Sequence, residues 1–516
     1  MSANGVSRRD FLAAAGAGVA GAASVLESAV AAAKPAVPAA SRTAPKPDAA
    51  VPAPGSDPTG WTIREASQAL RRGAVSSVDL TRACLERIDR LNPSLNACIT
   101  VTADAALQAA RRCDAERRAG KPHGALHGIP VALKDNIDTA GIRTTAASAL
   151  YEDRIPAEDA HVVRRLREAG AVLLGKLNLH EFAFGGTSTV SRFGPVRNPW
   201  ALDRIAGGSS GGSAVAVAAG LCFAALGTDT AGSVRIPASF CGVVGLKPTY
   251  GRVSNRGVIP LSWTHDHVGP LTRSVEDAAL VLQAIAGFDV ADPASREVPA
   301  EPSLREIERT AAKPRLGIPR KPFFDDLDPE VAQAVAAAIE TLGRQAAGVV
   351  DVELPPGGFR SSGLYVRVRG PEAYAFHART LKESPEKYQD PTRAALMKFA
   401  DVKADDYVNA RREVELLRRT ILETFSRVDL LVTPTMPVPP ILIAEADREN
   451  PVDWRNTVPF STYGLPAVSI PCGRTRAGLP IGLQIAGPPL GEAAVLRFAL
   501  AFERTAGRNT MPRPAA

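Results

Sequence analysis

The chain has 516 residues, 45% of them hydrophobic, enough to bury a large core and, on length alone, to form about three domains of ~150 residues. Its balance is mildly basic, 61 Lys and Arg against 54 Asp and Glu for a net charge of +7. The arginines alternate with acids, as in Arg411-Arg412-Glu413-Val414-Glu415, which reads as a solvated helix face rather than a stripe for nucleic acid, so no nucleic-acid partner is expected.

At the N-terminus, Ser7-Arg8-Arg9-Asp10-Phe11-Leu12 precedes an apolar run rich in Ala and Gly, followed by small residues at Ala29-Val30-Ala31. Residues 1–33 therefore resemble a twin-arginine export signal, with cleavage near Ala31 or Ala33 and a periplasmic or secreted mature protein. The run is broken by Glu27 and falls short of the ~20 apolar residues of a membrane span, so no stable membrane anchor is expected. In that compartment the six cysteines could pair, but they are scattered from Cys84 to Cys472 without a C-x-x-C, which argues against zinc or a redox dithiol and for buried small hydrophobes. Residues 34–58, rich in Pro and Ala, read as a flexible linker.

The expected folded domain covers 59–508. Ser77 is expected to cap a helix carrying Leu80, Cys84 and Ile88, which Asn92-Pro93 stops. Ile129 to Leu133 and Val172 to Gly175 are short apolar strands, the second preceded by a helix from His161 to Ala169. From about 299 to 429 the sequence reads as largely helical covering material, with Asp328-Pro329 starting one helix and Val414, Leu417, Ile421 and Phe425 sharing a face of another. Strands return at Leu430 to Pro434 and Ala467 to Pro471 before a closing helix near Ala493 to Arg504. Core strands from both ends of the chain predict an α/β fold in one large domain, a central mixed β-sheet flanked by helices and interrupted by a helical insertion.

Three segments carry chemistry: Lys134-Asp135-Asn136, Gly207 to Gly212, and Gly227 to Ser233. Cleaving an amide needs an activated nucleophile, an oxyanion site and a proton for the departing amine. Ser233 is the candidate nucleophile, because it ends a loop of small residues whose backbone N–H groups can converge on one oxygen, with a helix able to start just beyond. None of the seven histidines is an obvious base. Gly207-Gly208-Ser209-Ser210-Gly211 fits G-x-S-x-G, which would need a later histidine, and His377 lies in a helix-like stretch. Ser384-Pro385-Glu386-Lys387 fits S-x-x-K, but no Ser-Asp-Asn or Lys-Thr-Gly accompanies it.

The ordered run of Gly207 to Gly212, Gly227 to Pro237 and Cys241 to Thr249 resembles the signature block of the amidase signature family. Supporting matches are His127-Gly128-Ile129-Pro130 before Lys134, His267 to Pro270, Thr433-Pro434-Thr435 and Gly478 to Gln484. The resemblance implies a triad of Lys134, Ser209 and Ser233, in which neutral Lys134 takes a proton from Ser209 and Ser209 from Ser233, with a cis peptide before Ser209. It implies an oxyanion hole of the backbone N–H groups of Thr230, Ala231, Gly232 and Ser233, and supporting roles for Ser210, Asp229 and Arg235. Many relatives have glycine where this chain has Ala231, which keeps its donor provided its φ is negative. A lysine base must lose its proton near neutral pH, and burial after the apolar run Ile129 to Leu133 would lower its pKa.

The expected reaction is hydrolysis of a small-molecule carboxamide to a carboxylate and ammonia or an amine through a Ser233 acyl-enzyme, without metal or organic cofactor, in a protein for which a homodimer is left open. One alternative is the glutamine-hydrolysing A subunit of a tRNA-dependent amidotransferase, disfavoured by the export signal. Another is a non-catalytic periplasmic binding protein. Tyr365, Tyr374, Phe460, Tyr463 and the segment from Trp454 to Gly464 are candidates to line an acyl pocket.

Overall fold

The structure, a computed structural model, describes residues 57–298, 304–446 and 452–512. The export-type segment expected over 1–33 lies outside the described residues, as does nearly all of the expected linker. Asp57 caps a 3-10 turn at Pro58–Gly60 and pairs with Arg87.

The strands are β1 (Cys98–Val101), β2 (Pro130–Lys134), β3 (Val172–Leu177), β4 (Arg197–Asn198), β5 (Ala201–Ile205), β6 (Ala224–Asp229), β7 (Val244–Lys247), β8 (His267–Thr272), β9 (Arg315–Ile318), β10 (Gly348–Asp351), β11 (Leu430–Pro434), β12 (Ala467–Arg474) and β13 (Pro480–Ala486). All but the small β4–β5 ribbon form one 11-stranded sheet in the order β1-β3-β2-β6-β8-β7-β12-β13-β11-β9-β10. The trios β3-β2-β6 and β11-β9-β10 are parallel, and the strands between them are antiparallel. The result is the expected α/β domain with a mixed sheet flanked by helices.

Central strands are buried on both faces, so they read as continuous apolar or small runs rather than alternating ones: β2 and β6 are buried at every position. The main core packs these strands against the helices Ser77–Leu95, Gly211–Ala218, Val275–Ile285 and Glu492–Ala506.

Two local expectations change. Ser76, not Ser77, caps the first long helix, in a reciprocal box with Asp79, while the Ser77 N–H donates to Asp114 Oδ1 at 2.7 Å. The helix runs on through Pro93 to Leu95 and ends at Asn96 in the left-handed conformation. The stretch read as helical covering also contributes β9 and β10 to the sheet, alongside the helices Pro329–Gly343, Leu364–Glu383 and Ala404–Thr420.

Candidate active site

Strands β2 and β6 run parallel and end at the same edge of the sheet, so Lys134 at the end of one meets Thr228 and Asp229 at the end of the other. Such carboxyl ends are where open α/β sheets collect ligands. Between them comes the turn that leads into the helix Gly211–Ala218, and its Gly208–Ser209 peptide is cis. A Cβ on Gly208 would lie 2.9 Å from the Ser188 backbone nitrogen, so glycine lets the two segments touch. Ser188 Oγ–H and the His180 N–H both donate to the Ser209 carbonyl, at 3.2 and 3.1 Å.

Lys134 Nζ lies 2.7 Å from Ser209 Oγ and 2.7 Å from Thr228 Oγ1, in a fully buried setting. Burial lowers its pKa to about 7, although the charges of Asp266 and Asp229 pull the other way. An amine that is half deprotonated near neutrality and touches a serine hydroxyl is a competent base for that hydroxyl.

Ser233 is nearly buried, and its Oγ makes no hydrogen bond among the described residues. It faces a cavity of about 180 Å³ that also touches Gly208, Thr230 and Ala231. Ser209 and Ser233 are joined through their neighbour: the Ser210 N–H donates to the Ser233 carbonyl at 3.2 Å, and Ser210 Oγ–H donates to the Thr228 carbonyl at 3.1 Å.

Asp229 organises the loop. Its carboxylate accepts from the Gly232 N–H at 2.7 Å and the Val234 N–H at 3.2 Å, and takes two hydrogen bonds from Arg235, each 2.9 Å. Burial alone would raise the Asp229 pKa, but the Arg235 charge and its hydrogen bonds prevail and hold it far below the usual carboxylate range. Arg235 also donates to Gln484 Oε1 at 2.7 Å and to Ser461 Oγ at 2.8 Å.

These contacts correct the expected set of four oxyanion donors. The Gly232 N–H is committed to Asp229, whereas the N–H groups of Thr230, Ala231 and Ser233 carry no hydrogen bond among the described residues. Gly232 contributes conformation instead: its φ is 138°, and a Cβ there would sit 2.3 Å from Thr457 Oγ1. Ala231 is not among the residues with positive φ, so its methyl group is accommodated.

Several side-chain contacts, and Asp266 itself, were not foreseen in the sequence. Thr228 holds Lys134, Asn136 Nδ2 donates to Thr228 Oγ1 at 3.2 Å, and Thr230 Oγ1–H donates to Asp266 Oδ1 at 2.6 Å. Gln484 was visible only inside a motif. No histidine ring bonds to Ser209, Ser210 or Ser233 among the described residues, and His377 is engaged with Tyr388 at 3.0 Å. Of the aromatic candidates, Tyr365 and Trp454 line the cavity. Phe460 and Tyr463 belong to a core cluster, and Tyr374 packs against another.

Comparison with known proteins gives a consistent set. The family model described as Amidase matches residues 79–496. The A subunit of glutamyl-tRNA(Gln) amidotransferase from Moorella thermoacetica is 41% identical over 473 residues, 86% of this chain and 96% of that protein. Among solved structures, one described as a vestigial protein complex revealing the origins of an s-triazine catabolic enzyme is 33% identical, with a TM-score of 0.82 over 87% of this chain and 100% of that one. The A subunit of glutamyl-tRNA(Gln) amidotransferase from Thermotoga maritima is 33% identical, with a TM-score of 0.75 over 89% and 99%. The curated relatives overturn the expectation of a periplasmic or secreted protein, because they are named for a charged tRNA, a substrate of the translation machinery and not of the periplasm. Among the described residues no helix is long and apolar enough to cross a membrane.

Proposed function

Because the chain belongs to the amidase signature family, we propose that it hydrolyses a carboxamide through an acyl-enzyme on Ser233, as the glutamine-hydrolysing A subunit of a glutamyl-tRNA(Gln) amidotransferase. The observation that carries the chemistry is the buried Lys134, 2.7 Å from Ser209 Oγ and beside a cavity that holds the free Ser233 hydroxyl. The observation that carries the assignment is 41% identity along 96% of such a protein.

Lys134 Nζ accepts the Ser209 proton while Ser209 Oγ accepts that of Ser233, and Ser233 Oγ bonds to the carbonyl carbon. The oxyanion is met by the N–H groups of Thr230, Ala231 and Ser233, which are uncommitted among the described residues. Collapse of the adduct breaks the C–N bond, and the proton returns by the same path to the departing nitrogen. Water then attacks the ester, releasing the carboxylate and restoring Ser233. The reading also implies a companion protein that consumes the ammonia.

A second reading, an amidase acting on a small molecule outside tRNA metabolism, is favoured by the higher TM-score to the s-triazine structure, 0.82 against 0.75. Ammonia release from glutamine, compared with release from aliphatic and aryl amides by the same preparation, separates the two. Glutamine hydrolysis supports the amidotransferase reading, and turnover of the other amides alone supports the second. Ser233→Ala should abolish turnover of every substrate, and a fluorophosphonate should label Ser233. Labelling of another serine would sink the triad.

A further inference from the structure

We infer that Arg369 is the substrate's carboxylate anchor, so that this site takes small carboxamides bearing an anionic group at the far end from the scissile bond. The inference rests on the hydrolase reading above and narrows its substrate class.

Arg369 lies one turn after Tyr365 on the helix Leu364–Glu383, so both side chains share a face, and both line the cavity that holds Ser233. The guanidinium carbon sits 4.4 Å from the centroid of the Phe184 ring, 5.5 Å from that of Phe399 and 5.7 Å from that of Tyr365. Rings hold a guanidinium by its faces and leave its in-plane N–H groups free to bond, and here the Tyr365 hydroxyl takes part of that capacity. Among the described residues no carboxylate lies in ion-pair reach of Arg369, and its Nε is buried without a hydrogen-bond partner. Arg235, the fully buried arginine of the site, has its countercharge in Asp229.

Arg369 is only partly buried and lines a cavity whose wall offers it no anion, so a ligand that brings one there gains a charge-assisted contact. Asp266 is not part of the cavity's lining, and its carboxylate accepts from Thr230 Oγ1–H and from the N–H groups of Leu261 and Ser262. The missing anion is therefore assigned to the ligand. The remaining wall, with Ile236, Leu261 and Trp454, is apolar, which suits a short methylene spacer. A cavity of about 180 Å³ admits only a few carbons between amide and anion. Glutamine falls in this class, as do short dicarboxylic monoamides.

Binding is the direct test, with succinamate as the anionic amide and butanamide as its neutral counterpart, each titrated calorimetrically into the Ser233→Ala protein to prevent turnover. Succinamate should bind at least about tenfold more tightly, as a charge-assisted bidentate contact provides. Adding Arg369→Met should erase that preference with the unfolding midpoint unchanged, and Arg369→Lys should restore part of it. In the active chain, Arg369→Met should raise KM for succinamate about tenfold or more and leave kcat within about threefold. Equal binding of the two amides, no binding of either, or a preference that survives Arg369→Met would overturn the inference. Failure of fluorophosphonate to label Ser233 would instead remove the hydrolase reading, and the binding comparison would still decide the role of Arg369.

Discussion

Lys134 is surrounded by neutral partners, Ser209 and Thr228, and its charged form is opposed by burial. Its pKa, about 7 in the fold against a free value of ~10.4, means that the neutral base dominates above neutrality. Activity that depends on this base is complete above about pH 8 and falls as pH drops through 7, approaching tenfold per unit. A plot of log kcat/KM between pH 5 and 9 should show that single acid limb. Asp266 raises the Lys134 pKa through its negative charge, so Asp266→Asn should move the limb to lower pH. A limb that stays in place or moves upward would detach it from Lys134. The residues legible in the sequence, Lys134, Ser209, Ser233, Asp229 and Arg235, are those held in short contiguous motifs. Arg369 reaches the site from more than 130 positions beyond Arg235 with no local pattern to mark it, while Thr457 and Gln484 showed only as members of longer segments, Trp454 to Gly464 and Gly478 to Gln484.

At the scale of elements, the start of the helix Val275–Ile285 brings three acids together, Glu276, Asp277 and Glu503. The Val275 N–H donates to Glu503 on the closing helix, at 3.1 Å, with Asp277 and Glu276 nearby. Burial, followed by the charges of Asp277 and Glu276, pushes the Glu503 pKa up to about 8. A carboxyl with a raised folded pKa lends stability that is complete below its unfolded value and is lost as pH rises through 8. Glu503→Gln imitates the protonated form, so it should match the parent near pH 4, where both states hold the proton, and exceed it at pH 9 by on the order of 1–3 kcal/mol. Urea unfolding at the two pH values reads this directly, and a deficit at pH 9 would contradict it. Elements with strong periodicity or full burial, such as Ser77–Leu95, β2 and β11, were visible in the sequence. Strand β10 was not: all four of its residues are exposed at the edge of the sheet, so Gly348 to Asp351 carries neither alternation nor an apolar run. The helix stop assigned to Asn92-Pro93 failed because Pro93 sits only two residues from the end of the helix, where the tertiary contacts of Leu91 and Leu95 carry the chain through.

Across the whole molecule the six cysteines offer a test that depends on the fold rather than on the site. All six are unpaired thiols, drawn from both halves of the chain. Cys84, Cys113, Cys222 and Cys241 are buried, Cys98 and Cys472 partly so, and burial raises the thiol pKa of each. Raised pKa and burial both suppress the thiolate, the reactive form, so the native protein should react slowly with an aromatic disulfide reagent at pH 8. Cys98 and Cys472, the two that are only partly buried, should react ahead of the other four. Unfolded in guanidinium without reductant, the same protein should release six equivalents. A count of four would mean that a disulfide had formed.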